Sequence, residues 1–144
     1  MFNIRHMRQE DIGAIVKIEQ ECFSTPWTME GFFDSLGLDY AVFVVAEEYG
    51  KLLGYGGIYF TAEEGEITNV AVMATERRRG IADALLKQID IEAKNRNVTK
   101  IFLEVRVSNE AALQLYQKHG YKLCGTRKNF YRLPQEDAYV MCKE

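Results

Sequence analysis

The sequence predicts an α/β fold of the α+β kind, a central mixed β-sheet of about seven strands flanked by about four helices. Three observations carry this. Apolar residues recur at helical spacing near the start and again in the second half, three β-branched and aromatic runs lie between them, and the second half alternates strand, helix, strand, helix, strand. That alternation implies a mixed sheet covered on both faces. With 144 residues, 47% of them hydrophobic, the chain can fill one ordinary core but not two. No linker, repeat or low-complexity tract interrupts it, so residues 1–144 read as a single domain.

After a short opening strand, Ile12, Ile15, Ile18 and Cys22 mark a helix. Thr28 offers an N-cap to a second one carrying Met29, Phe32, Phe33 and Leu36. "YAVFVVAE", "LLGYGGIYF" and "EITNVAVM" follow, separated by "EYGK" and "TAEEG", and read as an antiparallel meander. A helix from Ile81 to Asn95 presents Ile81, Leu85, Leu86 and Ile89 to the sheet. "KIFLEVRV" is a strand, Asn109 to His119 a helix stopped by Gly120, and "YKLCGTR" and "AYVMCK" the last strands. Pro26 and Pro134 fall in loops.

A formal net charge of -3 argues against a broad nucleic-acid surface while leaving room for a local anion pocket. Cys22, Cys124 and Cys142 are an odd, widely spaced set without a CxxC pair, which argues against a disulfide framework and against zinc or another metal. Cys124 and Cys142 read as core residues and not as nucleophiles. No signal peptide and no apolar run near the roughly 18 residues of a membrane span are present, so a soluble cytoplasmic chain without a membrane partner is expected.

Against this acidic background "TERRRGIADALL" sets Arg77, Arg78, Arg79 and Gly80 directly before a helix. A helix N-terminus carries unpaired N–H groups and partial positive charge, so a loop bending there makes a phosphate cradle. Gly80 lets backbone approach closely, and the arginines attract the anion. Short charge runs are also often merely solvated, and the cluster alone leaves the two readings level. Neither GxxxxGK[ST] nor a GxGxxG after a strand occurs, which disfavours a nucleotide triphosphatase or a Rossmann dehydrogenase.

The flanks decide between them. "VAVMATERRRGIADALL" holds Q/R-x-x-G-x-G/A as Arg77, Gly80 and Ala82 and resembles the acetyl-CoA signature of the GNAT acetyltransferases. "LEVRVSNEAALQLYQKHGYKLCGTRKNFYRLPQEDAYVM" and "FSTPW" resemble the RimI branch of that family, which acetylates ribosomal-protein N-termini. Ala82 stands where many relatives carry a second glycine, a change the family tolerates. The resemblance implies a GNAT fold and acetyl-CoA as cosubstrate. It also implies that the loop Arg77, Arg78, Arg79, Gly80, Ile81 and Ala82 wraps the pyrophosphate of coenzyme A.

Acetyl transfer to an amine needs a base, an oxyanion donor and an acid for the departing thiolate. Along "IFLEVRV", Ile101, Leu103, Val105 and Val107 alternate with Phe102, Glu104 and Arg106. By pattern alone Glu104 reads as a surface carboxylate paired with Arg106; the resemblance makes it the general base. Tyr116 reads as core packing by pattern and as general acid, pointing at the coenzyme sulfur, by resemblance. The segment Val70, Ala71 and Val72 would border the thioester, with a strand bulge freeing the Val72 N–H for its carbonyl. Asn109 is an N-cap or a contact to the pantetheine arm. Trp27 and Tyr131 either flank an acceptor peptide or close over the core edge.

Three functions fit: an enzyme acetylating a protein N-terminus, by resemblance the alanine of a small-subunit ribosomal protein; an acetyltransferase of small amines or lysine side chains; and a non-catalytic coenzyme A-binding module. Glu104 and Tyr116 together favour an enzyme.

Overall fold

A computed structural model describes all 144 residues, Met1–Glu144. The turn-separated runs pair as the sequence predicts. The elements are β1 (Asn3–His6), α1 (Ile12–Cys22), α2 (Met29–Leu36), β2 (Ala41–Glu48), β3 (Lys51–Thr61), β4 (Glu64–Val72), α3 (Ile81–Asn95), β5 (Lys100–Arg106), α4 (Glu110–Lys118), β6 (Lys122–Arg132) and β7 (Gln135–Lys143). They build one seven-stranded sheet in the order β1-β2-β3-β4-β5-β7-β6. Every neighbouring pair is antiparallel except β4 and β5, which run parallel through the α3 crossover. No helix is long and apolar enough to cross a membrane.

The apolar stripes of the helices define two cores, one on each face. Leu85, Leu86 and Ile89 of α3 and Tyr116 of α4 pack with Ile58, Leu103 and Met141. On the other face Ile12, Ile15 and Ile18 of α1 and Phe32 of α2 pack with Phe43, Val45 and Tyr55. Gly57 is required here, since a Cβ on it would collide with the Phe43 ring. Thr28 caps α2 by accepting from Gly31 N at 3.1 Å. Of the apolar set expected to bury α2, Met29 and Phe33 stand exposed: the short helix turns only Phe32 and Ser35 fully inward.

Strict alternation would keep Ile67, Asn69 and Ala71 on one face. Instead Gly57 lies opposite Asn69 while Ile58 lies opposite Ile67, leaving Thr68 as an extra residue. The bulge puts Ile67 in the α3-side core and Ala71 in the α1-side core. It also brings the Asn69 amide to Glu19 of α1 at 3.3 Å.

The two C-terminal cysteines correct the sequence reading. Cys124 and Cys142 are not core residues but form a disulfide between β6 and β7, with Cα atoms 6.0 Å apart and Cys124 exposed. Lys122 lies opposite Cys142, and the register slips between Leu123 and Gly125, so Cys124 is the bulged residue beside its partner. Spacing along the chain cannot show such a register.

Candidate active site

β4 and β5 pair only from Glu64–Glu66 to Lys100–Phe102 and then part. A cavity of about 440 Å³ occupies the resulting gap. Into it come Val70 from β4, Glu104 from β5, Asn109 and Tyr116 from α4 and its cap, Trp27 from the α1–α2 loop and Tyr131 from β6. Six candidate residues from separate stretches of sequence thus share one cavity. Ala71 does not; its side chain is buried in the α1-side core. Met73 N donates to Leu53 O at 2.8 Å, and ladder alternation from that pair turns the N–H groups of Val70 and Val72 away from β3, toward the gap. The β4 bulge lies upstream of Val72, at Thr68.

Glu104 pairs with Arg127 of β6, Nε to Oε2 3.2 Å, and not with Arg106. Burial, and then the neighbouring charge of Glu66, raise its pKa above the ordinary carboxylate value, with Arg127 opposing. Such a carboxylate is a stronger proton acceptor than a solvated one. Tyr116 is 8% exposed, and burial holds its hydroxyl protonated far above neutrality. Tyr131, pushed up to about 12 mainly by burial and then by the Glu104 charge, is likewise a neutral phenol. Asn109 accepts from Ala112 N at 3.1 Å, so it caps α4 while lining the cavity.

Trp27 packs on Phe32, Phe43 and Tyr59 at ring-centroid distances of 5.2, 6.1 and 6.3 Å, so it closes the core edge and lines the cavity at once. Its position is set by Glu19, whose carboxylate accepts from Trp27 N at 3.0 Å and from the hydroxyl of Tyr55. Glu19 is 2% exposed, and burial raises its pKa against the pull of the Trp27 N–H and the Asn69 amide.

Outside this cavity, at the start of α3, lies the arginine loop. Gly80 caps α3 with φ +79°, a left-handed conformation that favours glycine. A Cβ there would meet no protein atom within 4 Å, so the space before the helix N-terminus is open. The three arginines divide. Arg79 is held by Glu76 at 2.7 Å and Glu48 at 2.8 Å, Arg77 reaches Val72 O at 3.4 Å, and Arg78 forms no ion pair. Ile81 is buried at 2% and anchors the helix, so only its main chain faces the loop. His119 Nε2 meets Asp83 Oδ1 at 2.8 Å and ties the end of α4 to the first turn of α3.

Residues 12–121 match the Acetyltransferase (GNAT) family. The chain belongs to the GNAT acetyltransferases. It is 37% identical over 96% of its length, and 92% of the relative's, to a Bacillus subtilis (strain 168) protein provisionally named ribosomal protein bS18-alanine N-acetyltransferase. The Escherichia coli (strain K12) ribosomal protein bS18-alanine N-acetyltransferase is 32% identical, covering 98% of this chain and 96% of that one. The crystal structure of the ribosomal-protein-S18-alanine N-acetyltransferase from Escherichia coli superposes with a TM-score of 0.90 at 30% identity, over 99% and 93% of the two chains. The protein is an N-acetyltransferase of the RimI type.

Several residues of this candidate site escaped sequence reasoning. Glu19 follows Ile15 by one helical turn, and a carboxylate on an otherwise apolar helix face was the available signal. Glu66 and Arg127 reach Glu104 only through the parallel β4–β5 pairing and the β6–β7 hairpin, and no local pattern announces them. Cys22, the free cysteine, lines the same cavity, with burial raising its thiol pKa.

Proposed function

We propose that this acetyltransferase moves the acetyl group of acetyl-CoA directly to the α-amine of a protein N-terminus, the N-terminal alanine of a small-subunit ribosomal protein. The observation that carries the reading is the single cavity that Glu104 and Tyr116 line together with Trp27 of the α1–α2 loop and Tyr131 of β6. The relatives matched over nearly their whole length are named for this acceptor, which supports the reading.

In this reading acetyl-CoA supplies the activated acetyl group. The open approach at Gly80 and the N–H groups of the α3 start fit a pyrophosphate, with Arg77 and Arg78 adding attraction and Asn109 bordering the pantetheine arm. Glu104 takes a proton from the incoming amine, directly or through water, as the new C–N bond forms. The Val72 N–H holds the thioester oxygen while charge collects on it. Tyr116 gives its proton to the sulfur as the C–S bond breaks. Cys22 is an unsuitable covalent carrier, because a raised thiol pKa leaves little thiolate at neutral pH. Transfer is therefore direct, with both substrates bound together.

The α-amine is favoured on physical grounds as well. Its reference pKa lies near ~8 against ~10.4 for lysine, so at neutral pH the neutral nucleophile is a few hundred times more available. One carboxylate base then suffices. The test compares an alanine-first peptide, the same peptide with a blocked N-terminus and an internal lysine, and spermidine. Only the first is expected to be acetylated with acetyl-CoA; comparable kcat/KM for either of the others replaces this reading with a lysine or small-amine acceptor.

A further inference from the structure

Arg106 sits on the same strand face as Glu104, yet its guanidinium turns away from that carboxylate and gathers four acceptors. Nη1 donates to Pro134 O at 2.9 Å and to Glu136 Oε1 at 3.1 Å; Nη2 donates to Leu133 O and to Ser24 Oγ, both at 3.3 Å. Its plane also lies over the Tyr131 ring, 4.3 Å from the centroid. Leu133, Pro134 and Glu136 belong to the β6–β7 hairpin end, and Ser24 to the α1–α2 loop. These are the two walls that bring Tyr131 and Trp27 to the cavity. No other hydrogen bond runs between the loop and the hairpin.

We infer that Arg106 is a positioning residue for the acceptor: one guanidinium clasps both walls and sets the width of the groove that receives the peptide. Only arginine suits the task. Its planar fork presents five donors and a face that stacks on an aromatic ring, whereas lysine offers three donors around a point charge. The side chain is 23% exposed and its partner Glu136 16%, so the pair is screened less than a surface ion pair. Glu136 is fixed in turn, accepting from Ser108 N at 2.8 Å beside the start of α4. The clasp is therefore tied to the helix that carries Tyr116, and wall and chemistry share one anchor.

The inference rests on the acceptor reading above, and two measurements separate their failures. The first is hydrogen exchange on the chain without substrate, comparing wild type with Arg106→Gln and Arg106→Lys. Loss of protection is expected in residues 23–27 and 130–136 together, with Arg106→Lys partly protected. If only the hairpin loosens, Arg106 is a hairpin staple and the clasp is wrong. The second is steady-state kinetics: KM for the alanine-first peptide is expected to rise at least fivefold in Arg106→Gln and less in Arg106→Lys, with kcat and KM for acetyl-CoA changing much less. Ser24→Ala removes only the arm that crosses the groove, and a smaller rise in peptide KM at unchanged Tm is expected, which keeps the test intact should Arg106→Gln unfold. Equal peptide KM in Ser24→Ala and wild type overturns the inference. Failure of the wild type to acetylate the peptide sinks the acceptor reading instead, while the exchange experiment still decides the clasp.

Discussion

The two edges of β4 are paired unequally. Toward β3 it is paired along its length in eight register pairs, from Gly54 opposite Val72 to Thr61 opposite Glu64. Toward β5 it has three, Glu64 to Glu66, after which the strands part. Residues along the closed edge are packed from both faces by α1 and α3. The open edge exposes main-chain donors, a buried-side carboxylate and a phenol around a cavity. One strand thus uses its hydrogen-bonding capacity within the sheet along one edge and leaves much of it open to the cavity along the other. The difference teaches that, on the proposed mechanism, chemistry sits where the sheet ladder stops.

The sharpest way to break this comparison is a pair of substitutions with opposite signatures. Glu104→Gln is expected to lower kcat/KM about a hundredfold or more at pH 7, in the range of a lost general base. Its loss should shrink at alkaline pH, where the amine deprotonates unaided; Tyr116→Phe should lose activity without that recovery. Stability should hold in Glu104→Gln. A carboxyl with a raised folded pKa contributes stability that is present below its unfolded pKa and lost as pH rises through the folded one. The fold therefore disfavours the charged form, which glutamine cannot adopt, so Tm should stay level or rise. Ile89→Ala, 1% exposed on the closed side, should cost about 2–5 kcal/mol of stability and leave kcat/KM per folded molecule nearly unchanged. Thermal unfolding beside initial rates reads both; an unfolded Glu104→Gln or an inactive folded Ile89→Ala would erase the distinction.

Second in size is a matched pair of glycines. Gly50, in the β2–β3 turn, and Gly80 both have φ +79° and both would place a Cβ in open space. Valine strains either backbone alike. Only at Gly80 does the added side chain stand in the approach to the α3 N-terminus. Gly80→Val is expected to weaken coenzyme A binding at least tenfold by calorimetry, roughly 1.4 kcal/mol, while Gly50→Val lowers Tm and binds normally. Equal affinities in the two variants would remove the cradle.

How far the sequence carried the fold and the site follows the same division. Elements held by local signals were readable: the Thr28 cap, the α3 stripe, the meander and the Gly120 stop all stand where pattern put them. Glu104 was visible as an out-facing carboxylate in an alternating strand, but its partner was misread, because Arg106 is drawn off to Glu136 and the hairpin carbonyls while the long side chain of Arg127 reaches across from β6. The face switch at Thr68, the Cys124–Cys142 pairing and the clasp at Arg106 all depend on register between distant strands. Hydrophobic periodicity does not encode register once bulges intervene.

The smallest effect, and the one that sharpens the comparison most, concerns the charges around the open edge. Glu104 is faced by Glu66 from β4, Arg127 from β6 and the neutral Tyr131, and burial and Glu66 together outweigh Arg127 in raising its pKa. A base works only when deprotonated, so kcat/KM must fall as pH drops through that raised value. Arg127→Gln removes the one cation and should move the acid limb of the profile to higher pH. Glu66→Gln removes the repelling charge and should move it to lower pH. The amine's own ionisation is common to all three enzymes and cancels in the comparison. Because both partners act through a partly screened site, plateau kcat/KM should change little, and Tm should not move with the limb. Rate profiles from pH 5 to 9 on wild type and the two variants decide it. Shifts in opposite directions place the titrating group at Glu104, between these two neighbours, whereas identical limbs assign the acid limb to the substrate amine alone and leave Glu104 without a role as base.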